Sequence, residues 1–309
     1  MTKNILILIP LLVLFTCCKN ENDTKTLGGP YPGAQTLIHD GVSRQYFVYV
    51  PDSYNETAQV PLLFNFHGGA GDIASQLNIS DMRPIADTAG FILVYPQALP
   101  DPNAKNQNPK KKGGGTWMHK EPTTVDDIFF VEAMIDTLAS KYMIDESRVY
   151  ACGYSNGGDF SFELACRLNN RIAAIGVVAR SMYIKTYNNC SPTHPTPVLT
   201  IHGTEDNYNG LIGEGITYYI SIDDVNNYWT SYNNTEKTPA VVKMPDLNSG
   251  DGSTVEHYSF NNGDNGTSVE HYKVIGGGHD WPGSFGNMDI DATLIIWEFV
   301  SKYNINGLR

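Results

Sequence analysis

The stretch Val149-Tyr150-Ala151-Cys152-Gly153-Tyr154-Ser155-Asn156-Gly157-Gly158 constrains this chain more than any other. A β-type apolar run meets Gly-x-Ser-x-Gly, and a helical pattern of Phe160, Phe162, Leu164, Ala165 and Leu168 begins at once. Strand, sharp turn and helix in succession force the serine into a strained backbone conformation at the rim of a sheet, where a base can reach its hydroxyl. Gly153 and Gly157 suit this geometry because a Cβ at either would collide with the adjoining strand or helix. Asn156 and the helix start behind it would present backbone N–H groups to a developing oxyanion. Three fixed positions recur by chance in many chains, so the flanks and the distant partners give the motif its meaning.

Around this stretch the chain alternates strand and helix. Tyr46-Phe47-Val48-Tyr49-Val50, Leu62-Leu63-Phe64-Asn65-Phe66 and Phe91-Ile92-Leu93-Val94-Tyr95 read as strands, the latter two as the continuous apolar runs of buried parallel strands. Thr124-Val125-Asp126-Asp127 caps a helix whose face is marked by Ile128, Val131, Ile135, Leu138 and Tyr142. Residues 172–178 and 198–201 continue the strands, and Asp291 caps a last helix through Leu294, Ile295, Trp297 and Phe299. This order predicts an α/β fold with a mostly parallel central sheet and helices on both faces. With no linker or compositional break, residues 41–309 read as one domain.

His67-Gly68-Gly69-Ala70-Gly71-Asp72 follows a buried strand, so its backbone N–H groups can point at a ligand oxygen. Gly69 is the expected donor, with Asn156 completing an oxyanion hole. Residues 101–115, rich in Pro, Asn, Lys and Gly, form a surface insertion. Trp117 after it, Tyr154 beside the serine and Trp281 further on are expected to wall a substrate pocket.

Pro197-Val198-Leu199-Thr200-Ile201-His202-Gly203-Thr204-Glu205-Asp206 brings two adjacent acids to the end of another strand. Side chains just past the carboxyl ends of such strands converge on one site. A carboxylate there can accept Nδ1–H from a histidine and fix its tautomer; Asp206 is the choice and Glu205 the alternative. The histidine is His279, in Gly276-Gly277-Gly278-His279-Asp280-Trp281-Pro282-Gly283. It alone of the eight histidines lies beyond Asp206 on a glycine-rich loop after a strand. The order serine, acid, histidine is the order this topology requires. His257 and His271 fall in a repeated Val-Glu-His-Tyr pattern that predicts a hairpin with exposed polar tips, while His67 and His202 read as hydrogen-bonded loop residues.

The first residues lie outside the fold. Lys3 precedes an apolar run too short to span a bilayer but suited to an export signal. It stops at Thr16-Cys17-Cys18-Lys19-Asn20, which resembles a bacterial lipoprotein cleavage site. Residues 1–16 are thus the expected signal peptide, and residues 17–40 a lipidated N-terminus and tether, with Cys17 or Cys18 carrying the lipid. The expected location is the cell envelope, at the outer membrane or cell surface, with membrane contact through that anchor only. Export favours a disulfide. Cys152, inside a strand, reads as a buried thiol, leaving Cys166 and Cys190 as the better pair, although spacing does not fix connectivity. No spacing resembles a metal site, and the net charge of −12 argues against a nucleic-acid partner. Nothing in the sequence fixes the oligomeric state.

From about Tyr46 to Tyr303 the chain resembles the α/β-hydrolase esterases of the polyhydroxybutyrate depolymerase type, related to bacterial feruloyl and acetylxylan esterases. The residues that carry the likeness are His67-Gly68-Gly69, Val125-Asp126-Asp127, residues 153–158, His202-Gly203-Thr204-Glu205-Asp206 and residues 276–283. The resemblance implies Ser155 as nucleophile, His279 as base, Asp206 as its orienting acid, and a Cys166–Cys190 bridge. It implies ester hydrolysis without metal or cofactor, on polyester oligomers or acylated plant polysaccharide. Glu205 and Asp280 depart from the usual small residue and Thr. A serine peptidase of the same fold and a non-catalytic glycan-capturing lipoprotein are the alternatives.

Overall fold

The computed structural model describes residues 31–100, 114–117, 127–206, 212–213 and 216–309, with backbone alone at 212–213 and 216–217. The expected lipidation site, the helix cap at 124–126 and most of the 101–115 insertion lie outside these residues. Seven strands precede the loop that carries Asp206: β1 Gln35–His39, β2 Val42–Tyr49, β3 Val60–Phe66, β4 Ile92–Pro96, β5 Ile144–Tyr154, β6 Ala174–Val178 and β7 Val198–Gly203. The short β8 (Ile212–Gly213) and β9 (Ile216–Thr217) pair with each other; β10 (Ala240–Lys243), β11 (Thr254–Phe260) and β12 (Val269–Ile275) complete the main sheet. The helices are α1 Ile73–Ile79, α2 Arg83–Ala89, α3 Asp127–Ala139, α4 Asn156–Arg167, α5 Ile184–Asn189, α6 Ile222–Tyr232 and α7 Ala292–Val300.

The sheet runs β1-β2-β4-β3-β5-β6-β7-β12-β11-β10. Every pairing from β4 through β3, β5, β6 and β7 to β12 is parallel, and both flanks are antiparallel. This is the α/β-hydrolase fold expected from the order of motifs. One boundary moves: residues 35–39, assigned to the tether, pair with β2 as an edge strand and so belong to the domain.

Alternation along the central strands divides the core. Phe64, Phe66, Ala151, Ile175 and Val177 face α3, α4 and α6, whereas Leu63, Tyr150, Cys152, Val178 and Leu199 face α1, α2 and α7. Both sides of these strands are buried, which is why their sequences read as unbroken apolar runs. Cys152 is therefore a buried free thiol, on the face away from Cys166. Cys166, in the last turn of α4, is bridged to Cys190, which caps α5, with Cα atoms 4.7 Å apart. Near the start of the domain, Arg44 of β2 donates to Asp127 at 2.5 Å, and its guanidinium lies over the Phe130 ring. That buried pair fixes the beginning of α3 against the sheet.

Candidate active site

At the carboxyl end of β5 the backbone turns sharply. Ser155 has φ 53° and ψ −118°, a conformation costly for any residue with a side chain, and α4 starts at the next residue. Two close approaches hold it there. A Cβ on Gly153 would lie 2.5 Å from the Gly157 carbonyl, and one on Gly157 would lie 2.3 Å from the Phe66 carbonyl oxygen. Helix α4 thus rests directly on β3 and β5. The Ser155 amide donates to the Val178 carbonyl of β6, and its carbonyl accepts from the Asp159 amide.

The acid and histidine loops are stitched together by main-chain bonds. Thr204 donates to the Val274 carbonyl and Glu205 to the Gly277 carbonyl, each at 2.9 Å, while Gly276 donates to Thr204 Oγ1. A Cβ on Gly203 would be 2.2 Å from the Gly277 oxygen, so this contact requires glycine. The register delivers the imidazole: His279 Nδ1 lies 2.8 Å from Asp206 Oδ2, and its Nε2 lies 2.9 Å from Ser155 Oγ. Tyr154 lies beneath the ring and donates from its hydroxyl to the His279 carbonyl at 2.6 Å. The Asp206 carboxylate has no solvent exposure, whereas Glu205 is exposed. Geometry therefore selects Asp206 over Glu205 as the partner of His279.

Gly69 adjoins the turn, since a Cβ there would sit 3.6 Å from that of Asn156. Asn156 is the first residue of α4, and an amide at that position has no acceptor within its own helix. Its side chain is otherwise engaged, accepting from the Trp117 amide at 2.8 Å. His67 anchors the glycine loop from below. Its Nε2 accepts from the Ala98 amide, which leaves Nδ1–H to donate to the Gly68 carbonyl. Burial pulls its pKa down to about 4, so the ring stays neutral and keeps this tautomer.

Two expected pocket residues are not at the surface. Trp117 is 1% exposed, stacked on Phe160 and donating from Nε1 to the His67 carbonyl; Trp281 is fully buried and donates to Thr293 Oγ1. Both support the site from behind instead of lining it, because an indole with its N–H satisfied packs best in the core. Tyr154 is half-buried and does reach the site. Phe285, in edge contact with Tyr154, reaches solvent beside the site, and Tyr218, stacked on Tyr183, is also exposed. Sequence reasoning passed over both, since Phe285 lies just past the run from Gly276 to Gly283 and Tyr218 stands in no motif. Tyr219 is held by buried Arg180, whose guanidinium donates to the tyrosine hydroxyl and lies over its ring.

Of the other histidines, His257 and His271 belong to the expected hairpin, and His202 adjoins the triad. The hairpin of β11 and β12 is present, but His257 and His271 sit within its strands, away from the tip. His271 is buried and hydrogen-bonded to Thr200, with its pKa lowered to about 3 by burial; His257 pairs with Glu270 at 2.8 Å. His202 Nδ1 is 3.8 Å from Asp206 Oδ2, and burial, outweighing the pull of Asp206, lowers its pKa to about 4. Among the described residues no group of three or more His, Cys, Asp or Glu side chains is arranged to hold a metal ion.

Comparison with known proteins agrees with this architecture. The chain is 26% identical over 270 residues to a bifunctional acetylxylan esterase/xylanase of Neocallimastix patriciarum, covering 86% of this chain and 34% of that protein. It is 26% identical over 275 residues to feruloyl esterase B of Piromyces equi, covering 85% of this chain and 46% of that one. The chain thus spans less than half the length of either relative. An acetyl xylan esterase from Aspergillus awamori shares the fold, with a TM-score of 0.61 at 14% identity over 87% of this chain and 98% of that one. The family model for the dienelactone hydrolase family matches residues 42–211, which include Ser155 and Asp206. By that match over more than half its length, the chain belongs to the dienelactone hydrolase family.

Proposed function

We propose that the protein is a serine carboxylesterase that removes acyl groups from plant polysaccharide, through Ser155, His279 and Asp206. The observation that carries this reading is the unbroken relay from Asp206 Oδ2 to His279 to Ser155 Oγ, with both links under 3 Å. The names of the relatives, a feruloyl and an acetylxylan esterase, support the substrate class.

Ser155 Oγ attacks the ester carbonyl while His279 Nε2 takes its proton, and Asp206 stabilises the resulting imidazolium through Nδ1–H. The carbonyl oxygen, now negative, is held by the amides of Gly69 and Asn156. Collapse of this adduct breaks the bond to the alcohol oxygen, which leaves with the proton from His279. Water then attacks the acyl-serine, gives a proton to His279, and the serine departs carrying that proton as the acid is released. Phe285, in edge contact with Tyr154, is the exposed ring placed to meet an aromatic acyl group.

Export and a lipid anchor on Cys17 or Cys18 belong to the same reading, supported by the leader pattern and the Cys166–Cys190 bridge. A panel of methyl ferulate, acetylated xylan, 3-hydroxybutyrate oligomers and a peptide amide tests the activity. Hydrolysis of the first two by the wild-type chain and none by Ser155→Ala is expected. Wild-type turnover of only the peptide amide, or failure of a fluorophosphonate to label Ser155, would refute it.

A further inference from the structure

A groove of about 870 Å³ opens on the α4 and α6 side of the sheet, and Asp206 forms part of its wall. Its floor is built from the carboxyl end of β7, the middle of β12 and the last residues of β11, where Tyr258 and Phe260 contribute rings. The start of α6 supplies Asn226 and Asn227 on the opposite side, and Ser181, just beyond β6, lines it as well.

Position relates this groove to the nucleophile. Between β5, which carries Ser155, and β11 lie β6, β7 and β12 in order. Counted across the sheet at about 4.8 Å per strand, the groove begins roughly 10 Å from the nucleophile's strand, at β7, and extends to roughly 19 Å, at β11, running back along the strands as it does so. Ser181, just beyond β6, lines the groove on the side nearer the nucleophile. An ester held by Ser155 places its acyl group on one side of the carbonyl and its alcohol on the other. The groove therefore lies within reach of a long alcohol portion and beyond that of a short one.

The lining fits one chemistry. Lys237 and Lys273 are matched by Asp223 and Asp206, so no net charge selects an ionic ligand. Aromatic rings mixed with amides and hydroxyls suit sugar rings, whose C–H faces are apolar and whose edges carry hydroxyls. Asn226 discriminates further. It is 6% exposed, and its Oδ1 has no hydrogen-bond partner. A buried acceptor of this kind calls for a donor. Sugar hydroxyls donate, whereas the repeating ester of a polyester chain offers only acceptors.

We propose that this groove binds the neutral saccharide chain bearing the ester, so that the acyl group sits at Ser155 while the sugars run outward over β7, β12 and β11. This deepens the esterase reading above and rests on it for the covalent step. Binding itself is measured apart from turnover. Calorimetric titration of Ser155→Ala with xylotetraose, which carries no acyl group, gives saturable binding that 3-hydroxybutyrate trimer does not displace. Adding Tyr258→Ala, on the half-buried hairpin, weakens that binding about tenfold, equal to roughly 1.4 kcal/mol. Asn226→Ala does the same, and Tyr258→Ala decides the matter alone if the buried change prevents folding. In the active enzyme Tyr258→Ala lowers the ratio of kcat/KM for a feruloylated xylo-oligosaccharide to that for methyl ferulate by a similar factor. No saturable binding of xylotetraose, displacement by the trimer, or unchanged affinity in Tyr258→Ala overturns the proposal. Inactivity of the wild-type chain on every ester overturns the esterase reading instead, and the titration still decides what the groove holds.

Discussion

Replacing Asp206 with Asn removes one charge and almost no volume, so it isolates what the carboxylate does. In the structure Oδ2 accepts from His279 Nδ1 at 2.8 Å, which obliges the proton to reside on Nδ1 and leaves Nε2 free to accept from Ser155. An amide turned with its NH₂ toward the ring reverses that choice. The proton moves to Nε2, which then donates to Ser155 Oγ and cannot take its proton. The imidazolium formed during attack also loses its counter-charge, at a carboxylate with no solvent exposure to screen the loss. In the chymotrypsin-type triad the equivalent change costs about 10⁴ in kcat. At about 1.36 kcal/mol per decade, that is roughly 5.4 kcal/mol of transition-state stabilisation. The assay is kcat on p-nitrophenyl acetate across pH, with thermal melting to confirm an intact fold. Glu205→Gln is the matched control, because it makes the same chemical change one residue away on an exposed side chain. Retention of kcat within tenfold in Asp206→Asn, or a larger loss in Glu205→Gln, would refute the assignment.

Three other outcomes follow from packing and burial. Gly157→Ala drives a Cβ to 2.3 Å from the Phe66 carbonyl oxygen and 2.7 Å from that of His67; the cost is about 3 kcal/mol or more by urea denaturation, and a wild-type midpoint would exclude the close contact. Cys166→Ser with Cys190→Ser opens a loop of 24-residue separation, costing about 3.5 kcal/mol on the chain-entropy model, so an unchanged melting curve in oxidising buffer contradicts the bridge. His67, His202 and His271 have folded pKa values of about 4, about 4 and about 3, below the ordinary 6.5. The unfolded chain thus binds more protons once the pH drops below about 6.5, and stability falls between there and about pH 4. The slope is up to about 1.4 kcal/mol per pH unit for each ring; stability that is flat from pH 7 to 4.5 would show these rings to be accessible.

Much of the site was legible because its parts are local. Gly153 and Gly157 announce the turn around Ser155, and the glycines before His279 announce a loop that must approach another backbone. Chain order then assigns the roles, since each member follows its own strand in a sheet of known direction. Its place inside the strand before Ser155 likewise marked Cys152 as a buried thiol. The misread residues share a different property: their position was correctly placed, but their direction was not. Trp117 and Trp281 do flank the catalytic loops, yet both indoles turn inward to satisfy their N–H groups in the core. His271 belongs to the expected hairpin, but α6 packs against the strand that carries it, and β7 pairs along that strand's edge. Residues 35–39 lack the apolar density of a buried strand because an edge strand has only one neighbour to pack against.

By itself the sequence determined the alternation of strand and helix, the strained serine turn, and the identity and order of the three residues that meet there. These follow from short-range sterics and periodicity, which act within a few residues of chain. Tertiary structure alone turned the two tryptophans inward and left Phe285 and Tyr218 facing solvent. It also assembled the groove from β7, β11, β12 and α6, no two of which are adjacent to Ser155 in the chain. Those outcomes depend on which surfaces meet across the sheet, and such contacts join residues whose separation along the polypeptide carries no local signal.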